Sequence, residues 1–413
     1  MVSLRSSPNV NRWVQLIRRL ATDRRGVLFV YVAVICVVSV LEFLKHPRIL
    51  EGNTYPHYNT YLIFKFSFAH LIHGQDLYSA YPHEHFDLFK YSPAFALFMG
   101  LFVWMPDIVG LTAWSLLNSL SLCYAILRLP IRSESTRVAV LWFILLELIT
   151  SIQGCQSNGL VAALLIWSFN HLESRRLGLA TLCIILGSFV KIFSLAGFLL
   201  FLFYPDKVKS VTYALLWGAA CTLFPLAAIS GDQLMVLYKS WFLLLTNDLS
   251  LSVGFSVMGW LQTWFNLSVS KTLIICGGLV VLCLPLLRKE AYEHDLFRII
   301  FLAALLIWVV IFNPKAEKQT FILAVSGVAI WYFSQPTTAV STTFACFAFI
   351  LTTLSSTDLF PRFLKDEFVV PYVLKVVPCI LIWFRAIYDL LIFSYSPRPA
   401  RTLVHAPRVK AGP

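Results

Sequence analysis

Long apolar stretches separated by short polar connections make up most of this chain. Since about 20 apolar helical residues span the hydrocarbon core of a bilayer, stretches of this kind predict membrane-spanning helices. We predict twelve of them, two being short, at approximately 26–44, 108–128, 138–152, 158–172, 177–192, 193–204, 208–229, 271–287, 298–312, 320–334, 337–354 and 370–394. The pattern therefore indicates an all-α polytopic integral membrane protein.

Two further apolar stretches are predicted to lie on the outer membrane surface. The stretch 91–105, which Pro93 would begin, is assigned there because the basic connections that follow it fall on the cytoplasmic side only if it does not cross. The segment 60–73 gathers its apolar residues near one side of a helix and is a second juxtamembrane candidate. The loops 45–107 and 230–270 are then both outside.

Composition and charge exclude a soluble protein. Of the 413 residues 58% are hydrophobic and 13% are charged, which leaves too much apolar surface for a soluble fold of this size. The net charge of +12 comes from short basic clusters between apolar segments, which indicate topology rather than nucleic-acid binding. They predict a cytoplasmic basic N-terminus (1–25), one integral domain (26–394) and a cytoplasmic basic tail (395–413) in the cytoplasmic membrane.

Several common site chemistries have no sequence signal here. The chain lacks a phosphate-cradling G-x-x-x-x-G-K-[ST], an H-E-x-x-H, a C-x-x-C pair and a dinucleotide fingerprint. Eight of its nine cysteines fall inside apolar segments, so no disulfide framework is implied. His83 and His85 flank Glu84, but this loop spacing is weak for a metal site. We predict no metal and no cofactor.

Polar residues that are hard to explain collect on the predicted outer side. They lie in the loop 51–90, in the tip Gln153–Asn158 between two helices, at Lys191 on the end of a helix, and in Asn313–Thr320. Glu147 lies one to two turns below the tip, and ionisable groups at membrane depth usually face a polar cavity. This convergence predicts an outer-face site.

Each group also has a plainer interpretation. Acidic loop residues such as Asp76 can simply be solvated, and Gln153, Gln156 and Asn158 can cap two helix ends. Lys191 can extend to lipid headgroups. Lys315, Glu317 and Lys318 can form an ordinary charged hairpin.

The order of several short motifs resembles a known family. Asn59-Thr60-Tyr61 is followed by G-x-D-L-Y (Gly74–Tyr78), by Y-S-P (Tyr91–Pro93), by a G-x-Q-x-N tip (Gly154, Gln156, Asn158) and by a helix ending in Lys191. This succession resembles the GT-C superfamily of membrane glycosyltransferases, and most closely glycosyltransferase family 87, the polyprenyl-phosphate-mannose-dependent type. The resemblance covers about residues 26–210 well.

The resemblance implies a site open to both lipid and water, with a polyprenyl-phosphate sugar as donor, a lipid or glycan as acceptor, and no nucleotide. Lys191 would pair with phosphate, and Tyr78 and Tyr91 would stack on sugar. Hydrogen-bonding and charged groups would complete the substrate contacts: Asn59, Thr60, Tyr61, Gln153, Gln156, Asn158, Asn313, Lys315 and Lys318.

One position departs from the family pattern. GT-C enzymes generally carry an acidic general base soon after the first helix, and counting back from Gly74 places it near Thr60. Threonine cannot accept the proton. The base is then Glu51, His57 or Asp76, or Glu147 reaches the cavity, or the protein has lost or changed its reaction.

Three functions remain open at this point. The first is an inverting hexosyltransferase acting outside the cytoplasmic membrane. The second is a catalytically silent scaffold of an envelope-glycan assembly complex, which the missing acid favours. The third is a lipid or solute transporter, although no related halves are evident in the sequence and the polar groups gather at one interface.

Overall fold

The computed structural model describes residues 22–131, 133–251 and 253–392, with only the backbone described at 248–251. The predicted cytoplasmic basic residues of 1–21 and 393–413, and Arg132, lie outside these ranges. The α-helices are α1 (Arg24–Leu44), α2 (Asn59–Ile72), α3 (Pro93–Val103), α4 (Asp107–Leu127), α5 (Glu134–Gln153), α6 (Asn158–Glu173), α7 (Leu177–Val190), α8 (Lys207–Leu223), α9 (Gly231–Leu251), α10 (Val257–Phe265), α11 (Lys271–Cys283), α12 (Asp295–Ile311), α13 (Phe321–Ser334), α14 (Ala339–Ala348), α15 (Arg362–Leu364) and α16 (Val377–Ile392).

Shorter elements link and extend these helices. The antiparallel strands β1 (Arg48–Leu50) and β2 (Asn53–Tyr55) form a small hairpin directly after α1. A 12-residue 3₁₀ helix occupies Ile192–Phe203, where the sequence predicts a short crossing. The remaining 3₁₀ segments are Phe224–Ala227, Leu284–Leu287, Lys289–Ala291, Lys318–Thr320, Leu354–Ser356 and Leu374–Val376, and the π segments are Phe349–Thr353 and Lys365–Val369.

Several described helices are long and apolar enough to cross a membrane. Five meet this criterion on their own: Arg24–Leu44, Asp107–Leu127, Glu134–Gln153, Lys207–Ala227 and Ala339–Ser356. A sixth arises if Arg362–Val369 and Leu374–Ile392, which are bent by 91° at their junction, count as one broken span. The all-α membrane architecture is therefore supported, whereas twelve crossings are not confirmed and stay a prediction.

The antiparallel helices α12 and α13 form the centre of the molecule. Nearly every residue of both is buried, including Phe301 and Trp331, which are fully enclosed. Helices α5, α6 and α16 pack around this pair. At the periphery, α8 and α11 expose large apolar residues such as Leu215 and Leu273, as expected for lipid-facing helices.

The polar ends of the helices separate into two groups. At one end, Arg298 at the start of α12 makes a two-pronged ion pair with Glu173 at the end of α6, with nitrogen to oxygen distances of 2.6 and 2.9 Å. Tyr204 donates to the same carboxylate at 2.5 Å. The candidate site lies at the opposite end of α6, where Asn158 begins the helix.

Candidate active site

Helix α2, the following loop and helix α3 make one wall of the site. Helix α2 ends at Ile72, and Gly74 adopts the left-handed φ of +74° that such an end requires. The backbone N–H of Gln75 then bonds back to the carbonyl of His70 at 2.9 Å. Helix α3 begins at Pro93, and its N-cap Ser92 accepts from the Phe95 N–H at 3.2 Å. With 11 residues, α3 is about 17 Å long, which is too short to cross a bilayer as a straight helix.

Side-chain hydrogen bonds hold the loop 74–92 against this wall. The Asn59 amide donates to the carbonyl of Phe86 at 2.7 Å and accepts from its N–H at 2.9 Å. The Tyr78 hydroxyl donates to the carbonyl of Tyr91 at 2.9 Å. Asn59 thus supports the loop, and the two tyrosines enter the site from it together.

The tip 154–158 between α5 and α6 is enclosed by three other segments. The Tyr91 hydroxyl donates to Gln156 Oε1 at 3.3 Å, and the Trp114 indole donates to the carbonyl of Cys155 at 3.0 Å. A Cβ on Gly154 would lie 2.7 Å from Gln319 Cγ, so this glycine allows the segment 313–320 to approach the tip closely.

Lys191 completes the group from the end of α7. Its Nζ donates to Asn158 Oδ1 at 2.8 Å, and Asn158 is almost completely buried. The end of α7 is held to the start of α3, because the Ser92 hydroxyl donates to the carbonyl of Phe189 at 2.6 Å. We call Tyr78, Tyr91, Gln156, Asn158 and Lys191 the tip cluster.

An acidic group of the segment 313–320 acts on this cluster. Burial is the main cause that raises the pKa of Tyr91, and the charges of Glu317 and Asp87 raise it further. Glu317 is held at the surface because its N–H donates to Thr320 Oγ1 at 3.2 Å and its side chain caps the same turn. A negative charge therefore stands close to Tyr91.

A second polar group adjoins the tip from the end of α1. Glu42 is buried with 3% of its side chain exposed, forms an ion pair with Lys45, and lies 3.9 Å from His57 Nδ1. The Arg48 guanidinium reaches both nitrogens of the His57 ring, at 3.1 and 2.9 Å. Because a guanidinium only donates, a ring nitrogen that accepts from it is unprotonated.

Electrostatics agree with a neutral His57. Burial lowers its pKa from 6.5, Arg48 and Lys45 lower it further, and Glu42 opposes them. The Glu42 carboxylate and the Lys45 ammonium group also affect Cys155 in the tip. The pKa of the Cys155 thiol is raised to about 12, mainly by burial and then by Glu42, whereas the Tyr61 backbone amide and Lys45 lower it. The tip therefore lies close to both α1 and the start of α2.

Basic groups gather on the side of Lys318. Partial burial lowers the pKa of its ammonium group, and the charges of Lys365, Lys375 and Arg48 lower it further. Asp358 opposes these cations, and Lys375 is itself paired with Glu147. Lys318, Lys365 and Arg48 therefore contribute the positive potential here, which favours a phosphate group.

The other candidate residues lie in the following places. Glu51 is exposed in the hairpin turn at a φ of +50°. Asp76 accepts from the Tyr78 N–H and the Ser79 hydroxyl, both at 3.3 Å, and so stabilises its own turn. Asn313 accepts from the Lys315 N–H at 2.9 Å. Gln153 is exposed at the end of α5, and Thr60 is half-buried in the first turn of α2.

Two candidates are fully enclosed by protein. Glu147 accepts from Lys375 Nζ at 2.8 Å, and Lys375 also donates to the carbonyl of Thr352 and to the Ser356 hydroxyl. Tyr61 is buried, and its hydroxyl has no hydrogen-bond partner among the described residues. The Glu147–Lys375 pair links α5 to the bent segment before α16, which is a structural arrangement.

A comparison with protein-family models identifies the family of this chain. The model of glycosyltransferase family 87 matches residues 89–314, which is more than half of the chain. The chain belongs to glycosyltransferase family 87. No curated protein matches it. The family implies a membrane glycosyltransferase, which has a sugar donor and an acceptor as substrates and works in a lipid bilayer.

The matched range covers part of the site of this family 87 glycosyltransferase. It contains Tyr91, the tip and Lys191, whereas Thr60, His57 and Glu42 precede it. Glu42 is not among the site residues that the sequence analysis predicts. The available signal was a single carboxylate within an otherwise apolar stretch, VLFVYVAVICVVSVLEFL, three residues before Lys45.

Proposed function

We propose that this family 87 glycosyltransferase is of the GT-C type and transfers a hexose such as mannose from a polyprenyl phosphate to a lipid or glycan acceptor. The reaction would take place on the outer side of the cytoplasmic membrane, with both termini in the cytoplasm. One observation carries the proposal: the tip 154–158 is joined to the loop before α3, to the end of α7 and to the segment 313–320.

The donor phosphate is assigned to Lys191. Its ammonium group is held by Asn158 at 2.8 Å, and an ammonium has three donors, so two remain to face an oxyanion. Charge-assisted hydrogen bonds of this kind are among the stronger ones in proteins. Lys318 and the cations around it provide a wider positive field for the leaving phosphate and for the rest of the headgroup.

The sugar is assigned to the space beside Tyr91, Tyr78 and Gln156. Aromatic rings offer apolar faces to a hexose, and Gln156 offers both a donor and an acceptor for its hydroxyls. Gln153 ends α5 next to the tip, and Asn313 and Lys315 belong to the segment 313–320 that approaches the tip; all three are proposed to contact the acceptor or the outer part of the donor. Asn59, Thr60 and Tyr61 are proposed to lie beneath the loop 74–92 and to support it.

His57 is the proposed general base. The acceptor hydroxyl oxygen would attack the anomeric carbon and pass its proton to the unprotonated nitrogen of the neutral imidazole, from which the Arg48 guanidinium would have to withdraw. The bond from this carbon to the phosphate oxygen breaks, and polyprenyl phosphate leaves with the electron pair. Glu42, whose Oε2 lies 3.9 Å from His57 Nδ1, would stabilise the imidazolium that forms. Glu51, Asp76 and Glu147 are less suited, because Glu51 is exposed in a turn and the other two are held by local partners.

A silent scaffold is the second candidate. It is favoured by one observation, the threonine at position 60 where the family resemblance implies an acid. The two candidates separate in one experiment. Purified protein in lipid nanodiscs is incubated with labelled polyprenyl-phosphate mannose, glucose or arabinose and with membrane lipid acceptors. If the wild type transfers the label and His57→Ala does not, the protein is an enzyme. If the wild type binds a donor but transfers no label with any combination of donor and acceptor, the scaffold is supported.

A further inference from the structure

Three side chains that are not part of the tip cluster converge between the end of α2 and the loop 74–92. His70 comes from the last turn of α2, and Glu84 and His85 come from the loop 74–92. One ligand-type atom from each lies within 4.8 Å of the other two. The sequence shows only the pair His83 and His85 around Glu84, from which we predicted no metal site; His70 is 14 residues from Glu84, and only the fold brings it to this location.

We propose that His70, Glu84 and His85 bind a divalent transition-metal ion with the ligand preference of zinc. Two imidazole nitrogens and one carboxylate oxygen are an established ligand set for zinc, and they leave a fourth position for water. Zinc bonds of 2.0–2.1 Å at tetrahedral angles place ligand atoms about 3.3 Å apart. His70 Nε2 and Glu84 Oε2, now 2.7 Å apart, need to separate by about 0.6 Å, and a pair of ligand atoms at the 4.8 Å limit needs to approach by about 1.5 Å.

The protein already fixes the His85 ring. Its Nδ1 lies 3.0 Å from the carbonyl oxygen of Asp87. A proton on Nδ1, donated to this carbonyl, leaves Nε2 unprotonated and able to coordinate a metal. Metal-binding histidines almost always donate their other ring N–H to a carbonyl or carboxylate in this manner. Asp87 itself has a left-handed φ of +76°, so the direction of this carbonyl is imposed by the loop.

The His70 ring is fixed as well. It stacks on Tyr81 with ring centroids 3.8 Å apart and an interplanar angle of 22°. The two imidazoles have centroids 6.3 Å apart, and both residues are buried, at 4% and 2% exposure. Glu84 is exposed, so solvent can reach the group from that side. Two buried imidazoles and an accessible carboxylate thus share one location.

The ion would join the loop 74–92 to the end of α2. This loop carries Tyr78 and Tyr91, so a clamp at its middle would restrict both tyrosines. The site does not depend on the proposed function, because an ion bound there would hold the loop in an enzyme and in a silent scaffold alike.

The test uses full-length protein in nanodiscs, carrying a tag without histidines and treated with a chelator before use. Zn²⁺ is titrated by calorimetry, and Co²⁺ is titrated by visible absorption. Hydrogen exchange of residues 74–90 is measured with and without Zn²⁺. We expect one tight equivalent of zinc, cobalt bands typical of four-coordination with nitrogen and oxygen ligands, and slower exchange of the loop in the presence of zinc.

Matched variants decide the ligands. His70→Ala and His85→Ala should each weaken zinc binding at least tenfold and abolish the protection of the loop. His73→Ala and His83→Ala, exposed histidines in the same two segments, should leave both unchanged. Glu84→Gln removes the carboxylate but keeps the size of an exposed side chain, so this variant should fold. It therefore tests the ligand set even if a histidine variant does not fold. The proposal is overturned if the wild type binds no zinc or if binding persists in Glu84→Gln and in the folded histidine variants.

Discussion

Lys191 Nζ donates to Asn158 Oδ1 at 2.8 Å, which joins the end of α7 to the start of α6. A lysine at the end of a membrane helix usually extends its ammonium group to lipid headgroups. Here the side chain instead turns to a nearly buried amide beside Tyr91 and Gln156. The ammonium is thereby positioned within the tip cluster, and this position underlies its proposed role.

Replacing Lys191 tests the phosphate contact. Hydrogen bonds to charged groups contribute about 1.5–3 kcal/mol, so Lys191→Ala should reduce donor affinity or transfer about tenfold to a hundredfold. Because the buried Asn158 Oδ1 loses its donor, the unfolding temperature should also fall, so donor binding is compared at a temperature at which the variant is folded. Lys209→Ala is the matched control, because Lys209 lies at the opposite end of the molecule with 68% of its side chain exposed. Wild-type donor binding in Lys191→Ala would remove this residue from the site.

Stability should depend on the Glu147–Lys375 pair. Breaking a buried ion pair by removing one partner costs about 3–5 kcal/mol, so Glu147→Gln and Lys375→Met should each lower the unfolding temperature strongly. The double variant Glu147→Leu/Lys375→Met should recover much of the loss, since no buried charge remains. If the double variant loses as much stability as the sum of the losses in the two single variants, the two groups act independently.

The pH dependence of transfer should report His57. A base works in its neutral form, and the pKa of His57 is lowered from 6.5, so kcat/KM should fall only at pH values below 6.5. Arg48→Ala removes a cause of lowering and should move this fall to higher pH. Glu42→Gln removes a cause of raising and should move it to lower pH.

His46→Ala is the control for this profile, because His46 is exposed in the same connection. It should leave the acidic limb in place. A profile that is unchanged in both Arg48→Ala and Glu42→Gln would mean that another group accepts the proton.

The close contact between the tip and the segment 313–320 can be tested by enlarging the side chain at position 154. Gly154→Leu would place side-chain atoms where Gln319 now lies, and overpacking of this kind costs about 1–3 kcal/mol. Transfer should fall, and Gln319→Gly in the same chain should restore much of it. Gly218→Ala, where a Cβ meets open space, should be neutral. Failure of the second substitution to compensate would argue against close contact in the membrane.

Orientation is tested by labelling single cysteines in a background without the native ones. Gln75 and Ser174 are both exposed and lie at opposite ends of the helical bundle. A membrane-impermeant thiol reagent should label Gln75→Cys in intact cells and Ser174→Cys only after permeabilisation. The reverse pattern would place the site on the cytoplasmic side.

The sequence predicted the parts of this molecule that depend on local chemistry. Apolar length predicted an all-α membrane protein, of which five or six candidate spans are present among the described residues, and Pro93 predicted the start of α3. The order of short motifs predicted the family, which the comparison confirms. The number of crossings could not be settled, since helices such as α7 have only 14 residues and a buried short helix resembles a spanning one in composition.

Features of the site that depend on distant contacts could not be predicted. Glu42 is separated from His57 by the β-hairpin, and His70 from Glu84 by the end of α2 and a loop. Asn59 has the residue type of a sugar ligand, yet the fold directs its amide to the backbone of Phe86. Residue type limits what a side chain can do, and tertiary packing decides which partner it meets.

The most direct test of the central claim is a structure of the protein in nanodiscs with a polyprenyl-phosphate sugar bound. The account predicts the phosphate within hydrogen-bonding distance of Lys191 Nζ and the sugar against Tyr91 and Gln156, with the lipid chain leaving towards the bilayer. A phosphate bound elsewhere, with the tip cluster closed and without contact to the donor, would contradict it.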